Sequence, residues 1–301
     1  MKVAITGASG FIGRKLAAVL RDAGHVPLAI SHNVERAASA LPGAEVISFN
    51  QAIADWPAVD AVVNLMGEPV TGRWTAEKKR EIHDSRVIGT RKLVEAIERA
   101  GQRPRRFVSA SAVGYYGDRG DEELIEDSPP GRSFLAEVCQ RWEAEAKQVG
   151  PLGVSWAIVR IGLVLGEGGG ALAPLTTLFK LGLGGPIGSG RQWMPWVSLE
   201  DTARLIHFLV ESDHEGVFLA TAPEPVRQAE FASALGKVLG RPAVLPAPAF
   251  AIRLVVGEFA AELLDSRRCL PARTTAVGFR FEYPRLVPAL RAALRAAVEA
   301  K

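Results

Sequence analysis

Cysteine is scarce: the 301 residues contain two, Cys139 and Cys269, far apart and outside any Cys-x-x-Cys pattern. That excludes a disulfide framework and a cysteine zinc cluster. It suits a reducing compartment, the cytoplasm, and no metal is expected. Long apolar runs are missing too, and none reaches the ~20 residues that cross a bilayer. The longest candidate, 250–264, is broken by Arg253, Glu258 and Glu262 and reads as an amphipathic helix. A strand pattern that begins at residue 2 argues against a signal peptide. Neither sign of charge dominates, with 36 Lys and Arg against 33 Asp and Glu and a net charge of +3. The balance makes no case for nucleic acid or membrane as a partner. The two basic clusters, Arg103 with Arg105 and Arg106 and the run at 78–80, read as a loop and a solvated helix face. Internal repeats and low-complexity tracts are also lacking.

What the chain has in plenty is glycine, 30 residues of it, and its first thirteen positions use it in a particular way. Residues 2–6 read Lys-Val-Ala-Ile-Thr, a short β-branched run. Gly7, Gly10 and Gly13 follow as Gly-Ala-Ser-Gly-Phe-Ile-Gly. From Phe11 the pattern turns helical, with Phe11, Ile12, Leu16, Val19 and Leu20 on one face. Strand, glycine turn and helix together are the setting of a dinucleotide fingerprint. Gly7 permits the tight turn, Gly10 lets a phosphate approach the backbone, and Gly13 lets helix and strand pack closely. Unpaired amides at the helix start would receive the pyrophosphate.

Further along, Gly24 ends the first helix and 26–31 forms a second strand. A carboxylate just past that strand would hold the 2′-hydroxyl of NAD, whereas a basic group there accommodates the 2′-phosphate of NADP. The segment reads Ser31-His32-Asn33 with Arg36 one turn on, and no carboxylate comes before Glu35. NADP is therefore expected over NAD. Strands are expected at 45–49, 61–65, 107–110 and 156–161, with helices at 75–100 (capped by Thr75) and 133–149. The alternation predicts a doubly wound, Rossmann-type α/β fold with a parallel sheet covered on both faces. Loops after Thr6, Ser31, Leu65, Ala110 and Ile161 converge on one crevice. Beyond it lie glycine-dense stretches at 166–170 and 182–190, a helix opening at Thr202, a strand at 217–220 and a helix at 228–239. A Pro-rich link at 242–248, the helix at 250–264 and a last helix from Leu286 follow. The expected division is a nucleotide-binding domain over 1–220, with 166–195 lent to a substrate lobe, and a small helical lobe over 221–301.

Several segments resemble one superfamily: Thr-Gly-x-x-Gly-x-x-Gly at the start, Asn-Leu-Met-Gly after the fourth strand, Ser-x-x-x-Tyr-Tyr-Gly after the fifth, and a late Trp-Val-Ser-Leu-Glu-Asp. They are similar to the extended short-chain dehydrogenases/reductases. Gly67-Glu68-Pro69, Arg73-Trp74-Thr75, Ser85-Arg86, Trp142-Glu143 and the glycine-rich blocks from Val164 and Leu181 resemble its nucleoside-diphosphate-sugar epimerase-like branch. The resemblance spans essentially the whole chain and includes the short helical C-terminal lobe. It implies an NADP site lined by Thr6, Gly7, Ser9, Gly10, Phe11, Ile12, Gly13, Ser31, His32, Leu65, Met66, Gly67, Glu81 and Arg86. His32 stands where the family carries arginine. A homodimer paired through the helices from Thr75 and Ser133 would also fit the superfamily.

The superfamily's chemistry is hydride transfer at a carbinol carbon, with a Tyr moving the proton, a Lys four residues on, and a Ser on the substrate oxygen. Ser111 fits the Ser role. Tyr-x-x-x-Lys is absent: the helix that should hold it reads Ser-Phe-Leu-Ala-Glu-Val-Cys-Gln-Arg-Trp-Glu over 133–143. Cys139 there reads as a small buried apolar side chain. Tyr115 and Tyr116 are the remaining proton-transfer candidates, Tyr115 forming Tyr-x-x-x-Arg with Arg119. A phenol of pKa near 10 needs a neighbouring cation to act as a base near neutrality. Glu68 is either a crevice acid/base or a solvated turn residue, and Trp193 and Trp196 either wall a pocket or fill core. Two functions follow: an NADP-dependent oxidoreductase or epimerase with an altered proton relay, acting on an unknown small or nucleotide-sugar-like alcohol, or an NADP-binding protein whose catalysis has been lost and which uses the bound cofactor for regulation or as a scaffold for partner binding.

Overall fold

Val3, Ala4 and Ile5 are fully buried, so the run after Lys2 is covered on both faces, as a central parallel strand must be. In the computed structural model, which describes residues 1–295, this run is β1 (Lys2–Thr6). The last part of the expected C-terminal lobe, 296–301, lies outside the described residues. The chain continues through α1 (Phe11–Asp22), β2 (Val26–Ser31), α2 (Val34–Ala40), β3 (Glu45–Ser48), α3 (Phe49–Ala54) and β4 (Ala61–Asn64). Then come α4 (Ala76–Arg99), β5 (Arg106–Ala112), α5 (Phe134–Lys147), β6 (Ser155–Ile161), α6 (Leu172–Lys180), α7 (Leu199–Glu211) and β7 (Gly216–Ala220). These seven strands form one all-parallel sheet in the order β7-β6-β5-β4-β1-β2-β3. The strand order reverses between β1 and β4, the place where such sheets bind ligands.

Alternation along the strands sends side chains to two cores. Val3, Ile5, Val63 and Val108 meet Leu16 and Leu20 of α1 and Leu205, Ile206 and Leu209 of α7. Ala4, Leu28, Val62 and Phe107 meet Phe49 of α3 and Leu93 and Ile97 of α4. A third core joins Leu165, Leu172, Phe179 and Trp196 to α8 (Gln228–Leu239) and to the final described helix, Leu286–Ala293. Residues from 163–196 thus pack with residues from the chain's last quarter. Asp201, fully buried at the start of α7, ties that quarter to the sheet: it accepts from the Glu282 and Tyr283 amides at 2.7 and 2.9 Å.

Two expectations change. The strand expected at 45–49 ends at Ser48, because the Ser48 hydroxyl accepts from the Gln51 amide and turns Phe49 into the first residue of α3. Asn33 does the same for α2, accepting from the Arg36 amide at 2.9 Å. The helix expected at 250–264 is two, Ala249–Val256 and Ala260–Leu264, broken where Gly257 takes φ +62°. Thr75 and Ser133 cap α4 and α5 as their hydroxyls predict. Among the described residues no helix is long and apolar enough to cross a membrane.

Where β1 and β4 meet, Thr6 and Asn64 are register partners. The Thr6 hydroxyl donates to Asn64 Oδ1 at 2.8 Å, and Asn64 Nδ2 donates to Thr90 Oγ1 at 2.9 Å and Ser109 Oγ at 3.3 Å. All four residues are buried, so the amide binds two central strands, β5 and α4 beneath the crevice. Asn64→Ala should cost about 3 kcal/mol, because it leaves buried hydroxyls without partners. Urea unfolding reads this as a lower midpoint at unchanged slope. A loss below about 1 kcal/mol would show that the network does not hold the strands.

Candidate functional site

The turn after β1 is built so that only glycine fits. Gly7 has φ +69°, and a Cβ there would lie 2.6 Å from the Leu65 carbonyl oxygen. A Cβ on Gly13 would lie 2.4 Å from the Gly7 oxygen. The Gly10 amide closes the turn onto that same oxygen at 2.9 Å. Gly10 caps α1 without a side chain, and no acidic residue occupies the first turn. The helix start therefore offers the amides of Phe11, Ile12 and Gly13, unpaired by helix geometry, with the positive end of the dipole behind them. Thr6 is committed to Asn64, while Ser9 gives its carbonyl to Arg14 Nη1 at 2.9 Å. The ring of Phe11 lies under the loop at 166–170: a Cβ on Gly166, Gly169 or Gly170 would come within 3.0 Å of it. That accounts for the first glycine-dense stretch. The second, at 182–190, is partly explained by Gly185, where a Cβ would lie 2.0 Å from the Leu245 oxygen.

Past β2, the Ser31 hydroxyl donates to the Asn33 carbonyl at 3.0 Å, and the exposed ring of His32 rests on Phe49 with centroids 4.7 Å apart. No carboxylate closes this edge of the crevice before Glu35 in the first turn of α2. Past β4, Leu65 and Gly67 bring backbone to the crevice. The buried Met66 side chain turns away against α4, where a Cβ on Gly89 would meet its sulfur at 2.6 Å. Arg86 is held on several sides. Its guanidinium fills the space beside Gly67, donates to the Glu68 carbonyl at 2.9 Å and lies over Trp142. Burial pushes its pKa down. It acts as a peg that holds the post-β4 loop. Glu81 is exposed and pairs with Lys78 at 3.6 Å, on a shallow cleft of about 420 Å³ shared with Glu68, Glu77 and Asp84. Four carboxylates make that cleft a poor place for a pyrophosphate.

Ser111, near the carboxyl end of β5, donates to Glu143 Oε1 at 2.7 Å. Glu143 is held in turn by a bidentate pair with Arg160 of β6, at 2.8 and 2.9 Å, and both side chains are 3% exposed. The remaining Arg160 nitrogen donates to the Tyr116 hydroxyl and the Glu126 carbonyl, each at 2.9 Å. Burial lowers the pKa of Arg160, and Glu143 more than reverses the effect. Tyr116 is fully buried and donates to the Ile125 carbonyl at 2.9 Å, and burial pushes its pKa far up. With its proton and a lone pair both spoken for, it is a strut rather than an acid or base. Tyr115 is half-buried, and its ring lies 3.3 Å from the Arg160 guanidinium. The cation facing it is Arg160; Arg119, singled out by spacing, turns instead to Glu122 and the Pro129 carbonyl. Burial raises the Tyr115 pKa and Arg160 offsets only part of that. The Cys139 thiol is buried and pushed up to about 11, as a packing residue would be.

One further residue beside the site had no role in the sequence analysis. Glu262 reaches back from the C-terminal helices to within 3.9 Å of the point where Gly114 would carry a Cβ, beside the β5 loop. Burial raises its pKa, and Arg267, 3.0 Å away, opposes the rise. Its only signal is its place on the inner side of an amphipathic helix. Trp193, with Nε1 on Asp121 at 2.8 Å and Arg227 and Arg268 over its ring, is a surface-facing wall, whereas Trp196 is fully buried core.

All three tyrosines in the chain have pKa values raised on folding. The unfolded chain loses its phenolic protons first, so their contribution to stability is whole below about pH 10 and declines above it. Urea midpoints measured from pH 9 to 11 should fall with rising pH, and Tyr116→Phe should flatten the fall. A midpoint that rises over that range would contradict the assignment.

The chain matches the NAD dependent epimerase/dehydratase family over residues 3–219 and a domain of unknown function (DUF1731) over 247–293. It is 41% identical to the chloroplastic "Epimerase family protein SDR39U1 homolog" of Arabidopsis thaliana, over 98% of this chain and 87% of that protein. It is 37% identical to the human "Epimerase family protein SDR39U1", over 97% of this chain and 99% of that one. The crystal structure of the human protein with NADPH superposes with a TM-score of 0.91 at 35% identity, covering 100% of both chains. An NAD complex of MoeE5 with UDP-glucuronic acid shares the fold, with a TM-score of 0.82 at 22% identity and 100% of both chains covered. With the turn at Gly7 to Gly13, the seven-stranded sheet and these likenesses together, the chain belongs to the NAD dependent epimerase/dehydratase family, as an NAD(P)-binding protein of the short-chain dehydrogenase/reductase type.

Proposed function

We propose that this protein is an NADP(H)-dependent oxidoreductase or epimerase-like enzyme acting on a small or nucleotide-sugar-like alcohol or its carbonyl form. The observation that carries this reading is the turn at Gly7 to Gly13, where added side chains would collide with backbone while the amides of α1 stay free. The residues fit the cofactor: a cradle that a Cβ would fill, and beyond β2 a hydroxyl, an imidazole and Arg36 with no carboxylate ahead of Glu35. The NADPH bound to the human relative supports the choice of NADP over NAD.

Bound NADPH supplies a hydride. The protein's own part is positional and protonic. The amides of Phe11, Ile12 and Gly13 would hold the pyrophosphate, Ser31, His32 and Arg36 would receive the 2′-phosphate, and the Leu65–Gly67 backbone, pegged by Arg86, would line the opposite wall. Thr6 and Ser9 shape the turn, and Glu81 stands apart from it. Ser111, whose proton is given to Glu143, accepts from the hydroxyl of the alcohol form and orients it. Tyr115, protonated at neutral pH because burial raises its pKa, gives its proton to a substrate oxygen when carbon accepts the hydride. Tyr116 stays structural. Two buried thiols and no disulfide suit a reducing compartment, the cytoplasm in this reading.

NADPH and NADH titrated side by side by fluorescence should differ by at least about tenfold in favour of NADPH, the scale of one charge-assisted hydrogen bond. His32→Asp should reverse much of that difference by placing a carboxylate against the 2′-phosphate. Equal affinities would end the NADP assignment. NADPH oxidation against a panel of ketones and nucleotide sugars tests the reaction, and Tyr115→Phe should cut turnover by about 10²-fold or more. Tight binding of NADPH with no turnover of any compound would favour the regulatory alternative.

A further inference from the structure

The end of the sheet opposite the crevice carries a second constellation. His25 follows Gly24 in the turn from α1 into β2, and His207 and Glu211 stand one turn apart on α7, against which α1 packs. His25 Nε2 lies 3.1 Å from Glu211 Oε1 and 3.4 Å from His207 Nε2. His207 Nε2 lies 3.3 Å from Glu211 Oε2. The two imidazole nitrogens thus face each other, each also beside its own oxygen of one carboxylate, and the two rings meet edge-on at 63° rather than stacking.

Hydrogen bonds alone do not satisfy this arrangement. If each ring nitrogen donates to Glu211, two N–H groups face each other at 3.4 Å. If one is bare, its edge with the carboxylate brings two acceptors together. A cation at the centre removes the conflict on every edge. A tetrahedral zinc ion with bonds of about 2.0–2.1 Å holds its ligand atoms about 3.3 Å apart, the spacing found here. Two imidazoles and a carboxylate are a borderline donor set that suits zinc and its neighbours rather than calcium or magnesium.

The surroundings agree. The side chains of His25 and His207 are 9% and 19% exposed and that of Glu211 is 50% exposed, so the site is walled on the histidine side and open at the carboxylate. The last turn of α7 carries no basic residue, which leaves the helix's negative end facing the position.

We propose that His25, His207 and Glu211 form a site for a borderline divalent transition ion, zinc foremost, with solvent completing the coordination. The ion ties the α1–β2 turn to the end of α7 at the amino-terminal edge of the sheet, away from the nucleotide. The proposal does not rest on the reading of the crevice.

The full chain, stripped of metal by a chelator and dialysed, is titrated with Zn²⁺ by calorimetry and with Co²⁺ by visible absorption. The expected result is one saturable equivalent per chain, the intense cobalt band of a four-coordinate site, and a Tm that rises with zinc. His207→Ala and His25→Ala should each weaken binding by about a hundredfold or more, since even outer partners of metal ligands are worth about 10–100-fold. Both should abolish the zinc-dependent rise in Tm. Glu211→Gln, half-exposed and therefore safe for folding, should weaken binding and leave NADPH affinity unchanged. Acid should release the ion, because imidazole must be unprotonated to bind it. No saturable equivalent, or one that all three variants retain, would overturn the proposal.

Discussion

The contact between Gly13 and the Gly7 carbonyl sets the height at which α1 rides on β1. A methyl group on Gly13 would force helix and strand apart by more than the turn can absorb, one on Gly7 would strike the Leu65 carbonyl, and in either case the amides at the helix start would miss a ligand seated over the sheet. The crevice follows from that spacing. Leu65 comes up against Gly7 from β4, Phe11 is laid outward under the 166–170 loop, and Asn64 fixes the two central strands beneath. The site is thus defined by backbone held closer than side chains permit, with buried hydroxyls and one amide keeping it there.

A second constraint acts on the chemistry. Arg160 sits in a strand that is otherwise apolar after Ser155, and a guanidinium at that depth requires a partner of opposite charge. Glu143 provides it and in doing so fixes Ser111, while the opposite side of the guanidinium underlies both tyrosines. One ion pair therefore sets the orientation of the β5 loop, of α5 and of the half-buried Tyr115 ring. In place of a lysine on the next turn of a helix, the cation reaches the tyrosine from the neighbouring strand.

The parts of this molecule that were legible in the sequence are those governed by local rules. β1, its glycine turn and α1 announce themselves in thirteen residues, Thr75 and Ser133 cap their helices as short hydroxyl side chains do, and the alternation of strands and helices gives the parallel sheet. The failures are long-range. Spacing paired Tyr115 with Arg119, but a turn does not fix side-chain direction as a helix does, and Arg119 found Glu122 nearer. An arginine inside the run Ser-Trp-Ala-Ile-Val-Arg-Ile was the available sign that a buried acid lay elsewhere, though not which one. Glu262 comes to the β5 loop from nearly 150 residues away, and no local pattern encodes that approach. The strand expected through Phe49 failed on one serine, whose cap outweighed the residue's β-propensity.

The seat of Phe11 beneath Gly166, Gly169 and Gly170 has a consequence for how this chain tolerates change. The ring and the loop occupy one volume, so positions more than 150 residues apart share a single steric allowance. An alanine at Gly169 has no room unless residue 11 gives up part of its ring, and a smaller residue 11 opens a void that the loop must sink to fill. Substitutions at these sites are accepted in compensating sets or not at all, and a variant library that samples them one at a time will record each as intolerant.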